Sequence, residues 1–537
     1  MTPEVKNFFQ SYSWKDFPDC DPITKEFIDR NDRLHHWISA WPDEKQLLQR
    51  AHKRVFLQET RELLVETISK QYRDSGLYDQ IPANLNALLD PNTFTICTGH
   101  QLCLLGGPAF IWFKLTQLCS LARSVNENQN EFHIVPVFWL ASEDHDIAEI
   151  SNISMDGNNY TWSTNDLGAT GRLSTKGIDK IIEELELSFP ELMHSKTIEW
   201  IRDSYSCDHL AGAWRRLIHG LAGHLGIVVM DGNHRSFKAQ FSEIMAREID
   251  QGFMFHSMQK QLHEFKNYGF DIPVNPRECC LFYLQSGLRS RIVRNANDTF
   301  QTVDGLRTWT REEILNEASV NPENFSPNVL MRPLYQECIL PNLLYLAGPS
   351  ELNYWLQLKP CFDEVKMDFP LLHLRSGITL ISQKTQKLLL KSKLTLPELM
   401  ENSDVILNRL MRKNNRFLAD DLRMIEEKWS DIIAKAKDAD TTLKAAAEAE
   451  LQRVRMGIQR LEAKMIKAEK RKNSELAIAI SQLKGVLFPG GKYQERNEGI
   501  IHLLPVENGL LERMMEHMNP WISEMILMKW ETGSTLT

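Results

Sequence analysis

The chain has no Cys-x-x-Cys pair, no His-Glu-x-x-His and no His pair spaced to supply ligands cleanly. A fixed transition-metal site is therefore not expected. Gly-x-Ser-x-Gly is missing, so the nucleophile elbow of an α/β-hydrolase is missing too. No Gly-Lys-Ser/Thr follows a glycine loop, and no Gly-x-Gly-x-x-Gly occurs, which removes the P-loop and the dinucleotide fingerprint. The nine cysteines are odd in number and scattered over 537 residues. That pattern suits a reducing interior better than a disulfide framework. The longest apolar run, Leu102 to Phe113, contains two glycines and a proline and stops at Lys114. It falls short of the roughly 20 residues a membrane span needs. The first residues, Met1 to Lys6, lack the basic-then-apolar order of a signal peptide. A soluble, cytoplasmic protein without membrane attachment is expected. A net charge of -9 argues against a dedicated nucleic-acid binder.

What is present points to an α/β core. The stretch from Thr95 to Ile147 holds two apolar runs that end in polar residues. The first run ends in Gly99-His100-Gln101, and Gly106-Gly107-Pro108 then opens an amphipathic helix over 108–124. The second, 133–141, ends in Ser142-Glu143-Asp144-His145-Asp146. Strand, helix and strand with short connections form a βαβ unit, which calls for a parallel sheet. Ligands of open α/β sheets bind beyond the carboxyl ends of the strands. His100 and Gln101, with Gly99, Gly106 and Gly107, are therefore candidates to hold an anion at a helix N-terminus. Four ionisable residues directly after a buried strand are costly unless a ligand or mutual pairing balances them. His145 is the candidate base, with Glu143, Asp144 and Asp146 as its orienting groups or as receptors for a cation or a substrate amine.

Residues 1 to about 90 read as helical, with Leu47, Leu48, Ala51, Val55, Phe56, Leu63, Leu64 and Ile68 on one stripe. Residues 150–220 read as an insertion that begins with a hairpin around Asp156-Gly157. Thr310 and Glu313 have capping-box spacing. A second dense segment, 326–359, repeats the strand, Gly-Pro, helix order and carries Asn328, Arg332, Gln336, Glu337, Gly348 and Tyr354. Arg332 is suited to clamp a carboxylate.

From 411 to 484 there is no proline. Leu418, Leu422, Ile425, Trp429, Ile432 and Ala436 alternate steps of four and three. Leu451, Val454, Ile458, Leu461, Met465 and Ala468 do the same. Two a/d seams predict an antiparallel coiled coil that reverses near 437–440 and ends near Lys484. The basic tract 464–472 reads as a solvated helix face. The expected division is 1–376 for the core, 377–485 for the coil, and 486–537 for a helical tail packed back on the core.

TGHQ-x4-GGP, FWLASEDHD, NVLMRPLYQE-x3-PNLLYLAGPSELNYW, the late coil and a terminal YQER (Tyr493 to Arg496) together resemble the cysteine ligase family of bacillithiol biosynthesis, along essentially the whole chain. The resemblance implies a Rossmann-like core related to class I aminoacyl-tRNA synthetases, connecting-peptide insertions, and homodimers held partly by the coil. It implies the last step of the pathway: cysteine joined through an amide to the sugar amine of glucosaminyl malate. By analogy ATP, with Mg, would activate the cysteine carboxylate. The resemblance also implies nucleotide bound away from the expected pocket, with Gln494 and Arg496 as candidates. The synthetase His-x-Gly-His signature is only echoed by Gly99-His100-Gln101, and no Lys-Met-Ser-Lys-Ser loop is present. A non-catalytic binding or scaffold protein, dimerising through the coil, is the alternative.

Overall fold

The computed structural model describes residues 9–414, 418–472, 474–504 and 509–530. Its centre is a five-stranded sheet of β1 (Thr93–His100), β2 (His133–Leu140), β3 (Val228–Asp231), β4 (Asn342–Ala347) and β5 (Leu371–Leu374). The strands lie in the order β5-β4-β1-β2-β3, and every neighbouring pair is parallel. Strands of such a sheet are covered on both faces, which explains continuous apolar runs in place of alternation. Ile134, Val135, Val137 and Phe138 of β2 are all fully buried. The helix α1 (Ala109–Asn128) returns the chain from β1 to β2. The helix α2 (Arg332–Ile339) precedes β4, and α3 (Pro349–Trp355) follows it. Strand order reverses at β1, so the crevice of this Rossmann-like core opens between the carboxyl ends of β1 and β4.

Two insertions interrupt the core, and the second lines the crevice. The first begins with the hairpin Asn152–Met155 and Asn158–Thr161, turned by Asp156 and Gly157, both at positive φ. Three helices then lead to β3. The second is an antiparallel sheet built from Leu281–Gln285, Leu288–Arg294, Phe300–Thr302, Thr308–Trp309 and Phe325–Pro327. The helix Arg311–Val320 beside it carries the capping box of Thr310 and Glu313.

Three details depart from the sequence reading. The N-terminal stripe is two helices, Glu44–Lys53 and Gln58–Asp74, and Val55 between them is 81% exposed. The break lets Arg54 reach the carbonyl of Glu337 and the carboxylate of Asp368. The N-terminal region also contains a strand, Phe9–Ser13. It pairs with a second unexpected strand, Glu524–Lys529, which pairs in turn with Gly377–Ile381. The end of the chain is thus not a purely helical tail. A three-stranded sheet ties both ends of the described chain to the segment that follows β5.

The coil is Ala419–Ala439 packed on Leu443–Lys472, with the reversal at 440–442, slightly later than expected. Asp440 accepts the Thr442 N–H and the Trp429 indole donates to the Ala447 carbonyl across the pair. A third helix, Ser474–Leu487, carries the chain back, and its Ile480, Leu483 and Leu487 are fully buried. The seam is only half covered, since Ile432 and Leu461 are 46% and 51% exposed. Among the described residues, no helix is long and apolar enough to cross a membrane.

Candidate functional site

A cavity of about 1710 Å³ opens at the β1–β4 reversal. Sites for one small ligand occupy roughly 300–1,000 Å³, so this one has room for two substrates together.

Its floor is an ion pair. Lys114 is the one charge in the apolar stretch 109–122 of helix α1, and its ammonium is buried against the Glu351 carboxylate (2.5 Å) and the Gly99 carbonyl (3.1 Å). Glu351 also accepts the Gly348 N–H (2.7 Å) and the Tyr345 hydroxyl (2.8 Å). Burial pushes the Glu351 carboxyl up, but Lys114 and these donors outweigh it and hold the group at about 2. Burial, with Lys114 nearby, pushes His100 down to about 4. His100 is therefore neutral at pH 7, and its ring meets Phe110 edge-on at 5.0 Å. Gly99 is required by contact: a Cβ there would lie 2.8 Å from the Trp139 carbonyl on β2. Gly99→Ala should cost about 1–3 kcal/mol through the forced strand separation, read as a lowered denaturant midpoint.

The β2 end forms one wall. Gln101 donates to both Asp144 (2.6 Å) and Glu149 (2.7 Å). Burial alone would raise the Asp144 carboxyl, but Gln101, Arg289 and the His145 N–H bring it below its ordinary value. Arg289, from the inserted sheet, contacts His145 and stacks on Phe282. Glu143 is paired with the fully buried Lys238.

The β4 side forms the other wall. The Arg332 guanidinium donates to Gln336 (3.0 Å) and to the hydroxyls of Tyr354 (3.3 Å) and Tyr345 (3.4 Å). Among the described residues no carboxylate lies within ion-pair distance of it. Gly348 and Asn328 also line the cavity, and the Asn328 side-chain oxygen caps the turn before α2 by accepting from Leu330 and Met331. Below them, Arg375 is bound through both guanidinium nitrogens to the buried Glu495.

Several expected residues stand elsewhere. Asp146 is exposed and caps the short helix Ile147–Ile150. Gly106 and Gly107 do not line the cavity; added Cβ atoms would strike Trp112, and Cys103 and Ile111, at 2.7–2.8 Å. The proposed anion cradle is filled by the chain itself, because the Ala109 N–H of α1 donates to the Glu498 carbonyl (2.8 Å). Those residues do not fit a nucleotide phosphate at that helix N-terminus. Gln336 and Glu337 are buried behind Arg332, where Glu337 also accepts from Asn342. Gln494 braces Leu380 through both its amide groups, whereas Arg496 does line the cavity. Among the described residues, no group of three or more His, Cys, Asp or Glu could hold a metal ion.

Lys114, Glu351, Arg289 and Arg375 escape the sequence reading. Lys114 carried a usable signal, being the one charge in the apolar stretch 109–122. Its partner lies 237 residues away and has none.

Two family models cover the chain: "Bacillithiol biosynthesis BshC, N-terminal Rossmann-like domain" over residues 11–376, and "Bacillithiol biosynthesis BshC, C-terminal coiled-coil domain" over 378–530. The chain belongs to the BshC family. Similar proteins occur in Cytophaga hutchinsonii, with 31% identity over 94% of this chain and 96% of the relative. Another, from Flavobacterium psychrophilum, is 31% identical over 96% of both chains. Flavobacterium johnsoniae has a third, 31% identical over 88% of this chain and 90% of its own. All three carry the name "Putative cysteine ligase BshC". The family models meet at 376–378, immediately before the strand Gly377–Ile381, so in this BshC-family chain the cavity draws on both parts: Arg332 and Glu351 from the first, Tyr493 and Arg496 from the second.

Proposed function

We propose that the chain joins L-cysteine to glucosaminyl malate through an amide on the sugar amine. Arg332 carries this reading. A half-buried guanidinium with polar but no anionic partners, at the strand-order reversal, asks for a carboxylate. The malyl group supplies two. Across the cavity, Asp144 and Glu149 converge on Gln101 and offer negative charge to an ammonium. The reaction forms one C–N bond between the cysteine carboxyl carbon and the amine nitrogen. A carboxylate oxygen leaves and the ammonium gives up its protons, so the carboxylate must first be activated. ATP with Mg is the proposed activator. Arg277, Arg291, Lys492 and Arg496 line the same cavity and are the cations available to its phosphates. The half-covered coil seam supports a homodimer through that region, and the reaction belongs in a reducing cytoplasm.

The test is mass spectrometry of purified chain with cysteine and glucosaminyl malate, with and without ATP. The amide should appear only with ATP. Arg332→Met should raise KM for glucosaminyl malate about 10–100-fold, the loss of one charge-assisted contact of roughly 1.5–3 kcal/mol. No product under either condition rejects the ligase reading in favour of a binding protein. Product at an unchanged KM removes Arg332 from the malyl site.

A further inference from the structure

The acidic loop after β2 has a partner that its own sequence does not announce. Arg289 sits on the inserted strand Leu288–Arg294, 144 residues from His145. Its guanidinium lies 2.9 Å from His145 Nδ1 and 3.5 Å from Asp144 Oδ1. The same side chain stacks over Phe282, 4.0 Å from the ring centroid, and is only 9% exposed. Its Nε is buried without a partner. Phe282, Arg289, Asp144 and His145 all line the cavity.

Hydrogen-bond chemistry fixes what this contact means. Guanidinium has donors and no acceptor, and it stays protonated in proteins. A bond between it and Nδ1 exists only if Nδ1 accepts, and the ring proton then sits on Nε2. The competing acceptor, Asp144 Oδ1, stands farther from Nδ1, at 3.5 Å against 2.9 Å for Arg289. One Asp144 oxygen is held by Gln101 (2.6 Å) and the other accepts the His145 N–H (2.8 Å). The His145 ring is otherwise 48% exposed.

We propose that Arg289 is a positioning residue that sets the tautomer of His145, so that His145 presents Nε2–H to the cavity as a hydrogen-bond donor rather than as the base. Within the ligase reading, on which this assignment of chemistry rests, the donor suits the acyl oxygen of cysteine, where negative charge develops as the amine adds. Receiving the amine then falls to Asp144 and Glu149. The inserted sheet thereby contributes to the site, and its docking against the β2 loop completes the site.

Tautomers are read directly by long-range ¹H–¹⁵N correlation on the full chain labelled with ¹⁵N-histidine, with the His145 signals assigned by their loss in His145→Gln. The wild-type chain should show the Nε2–H pattern. Arg289→Met keeps the stem on Phe282 but has no donor, and should move the pattern toward a mixture of tautomers. Arg289→Lys restores a donor and should keep the wild-type pattern. An Nδ1–H pattern in the wild-type chain overturns the proposal, as does an unchanged pattern in Arg289→Met. In the amide assay, Arg289→Met should lower kcat by about 100-fold, the order expected for a misaligned group, with KM little changed. If no chain forms amide, the ligase reading fails while the spectra still decide the role of Arg289.

Discussion

Glu495→Ala should lower the unfolding free energy by about 3–5 kcal/mol, the usual loss when one member of a buried ion pair is removed. Glu495 is fully buried and Arg375 nearly so. Two bonds of 3.1 and 2.8 Å join them. Glu495 also accepts the Ile378 N–H (2.9 Å), and Arg375 lies 5.0 Å from the Phe110 ring. The alanine variant strands a guanidinium and a backbone donor in the interior at once. The pair fastens the YQER segment to the strand Gly377–Ile381, so Tyr493 and Arg496 at the cavity should loosen with it. Denaturant unfolding followed by tryptophan fluorescence measures the loss. A double variant, Arg375→Met with Glu495→Met, should recover most of it, because no lone charge remains. A Glu495→Ala midpoint equal to that of the parent chain would show that water or another group reaches Arg375.

Most of the sheet was legible because its physics is local; the four-residue edge strand Leu371–Leu374 was not read. Buried parallel strands need long apolar runs, and Ile134 to Leu140 or Asn342 to Ala347 cannot be much else. Their ends were legible for the same reason: a polar residue or a glycine stops the runs at His100, Ser142 and Gly348. The strand Phe9–Ser13 was hidden because it carries no such run. Its five residues are FQSYS, none fully buried, and it is a strand only because Met525 to Met528 lie beside it. Pairing across more than 500 residues leaves no pattern in Phe9–Ser13, whereas Glu524–Lys529 has its own short apolar run, Met525 to Met528, too short to tell strand from helix. The site divides in the same way. Asp144 and His145 follow a strand and can be read from it. Glu351 looks like an ordinary acidic residue in the first turn of a helix until Lys114 arrives from α1. Gly106-Gly107 misleads in the opposite direction. A helix N-terminus favours an anion in general, but here the Glu498 carbonyl already occupies it and the glycines answer to Trp112, Cys103 and Ile111.

Acid should destabilise this protein well above the range in which carboxylates titrate. Burial pushes His100, His373 and His502 each down to about 4, with Lys114 adding to the effect at His100. In the unfolded chain a histidine titrates near 6.5. Below that value the unfolded state binds protons that the folded state refuses. The stability is therefore complete above about pH 6.5 and is lost as pH falls toward 4. At pH 5 each fully buried histidine has given up roughly 2 kcal/mol relative to pH 7.5. His373 and His502 contribute that in full, and His100, which reaches the cavity, contributes less. Two buried carboxyls oppose them, Glu248 and Glu337, both raised by burial. Burial raises the Glu248 carboxyl to about 7, so it takes up its proton first in the folded state. By the same linkage it returns roughly 2 kcal/mol at pH 5. For the three histidines and Glu248 together the fall between pH 7.5 and pH 5 is on the order of 2–4 kcal/mol; Glu337 works against it, and His133, His219 and His234, each lowered by burial, add to it. Glu351, held at about 2, adds its own loss only below about pH 4.5. Denaturant midpoints at the two pH values test the sum, and a midpoint that is equal or higher at pH 5 refutes it. His502 allows a sharper test, because its ring stacks on Phe189 at 4.3 Å and its Nδ1 has no partner among the described residues. His502→Phe keeps a flat ring there and removes the titration. It should reduce the acid loss by roughly 2 kcal/mol while leaving the pH 7.5 midpoint close to that of the parent.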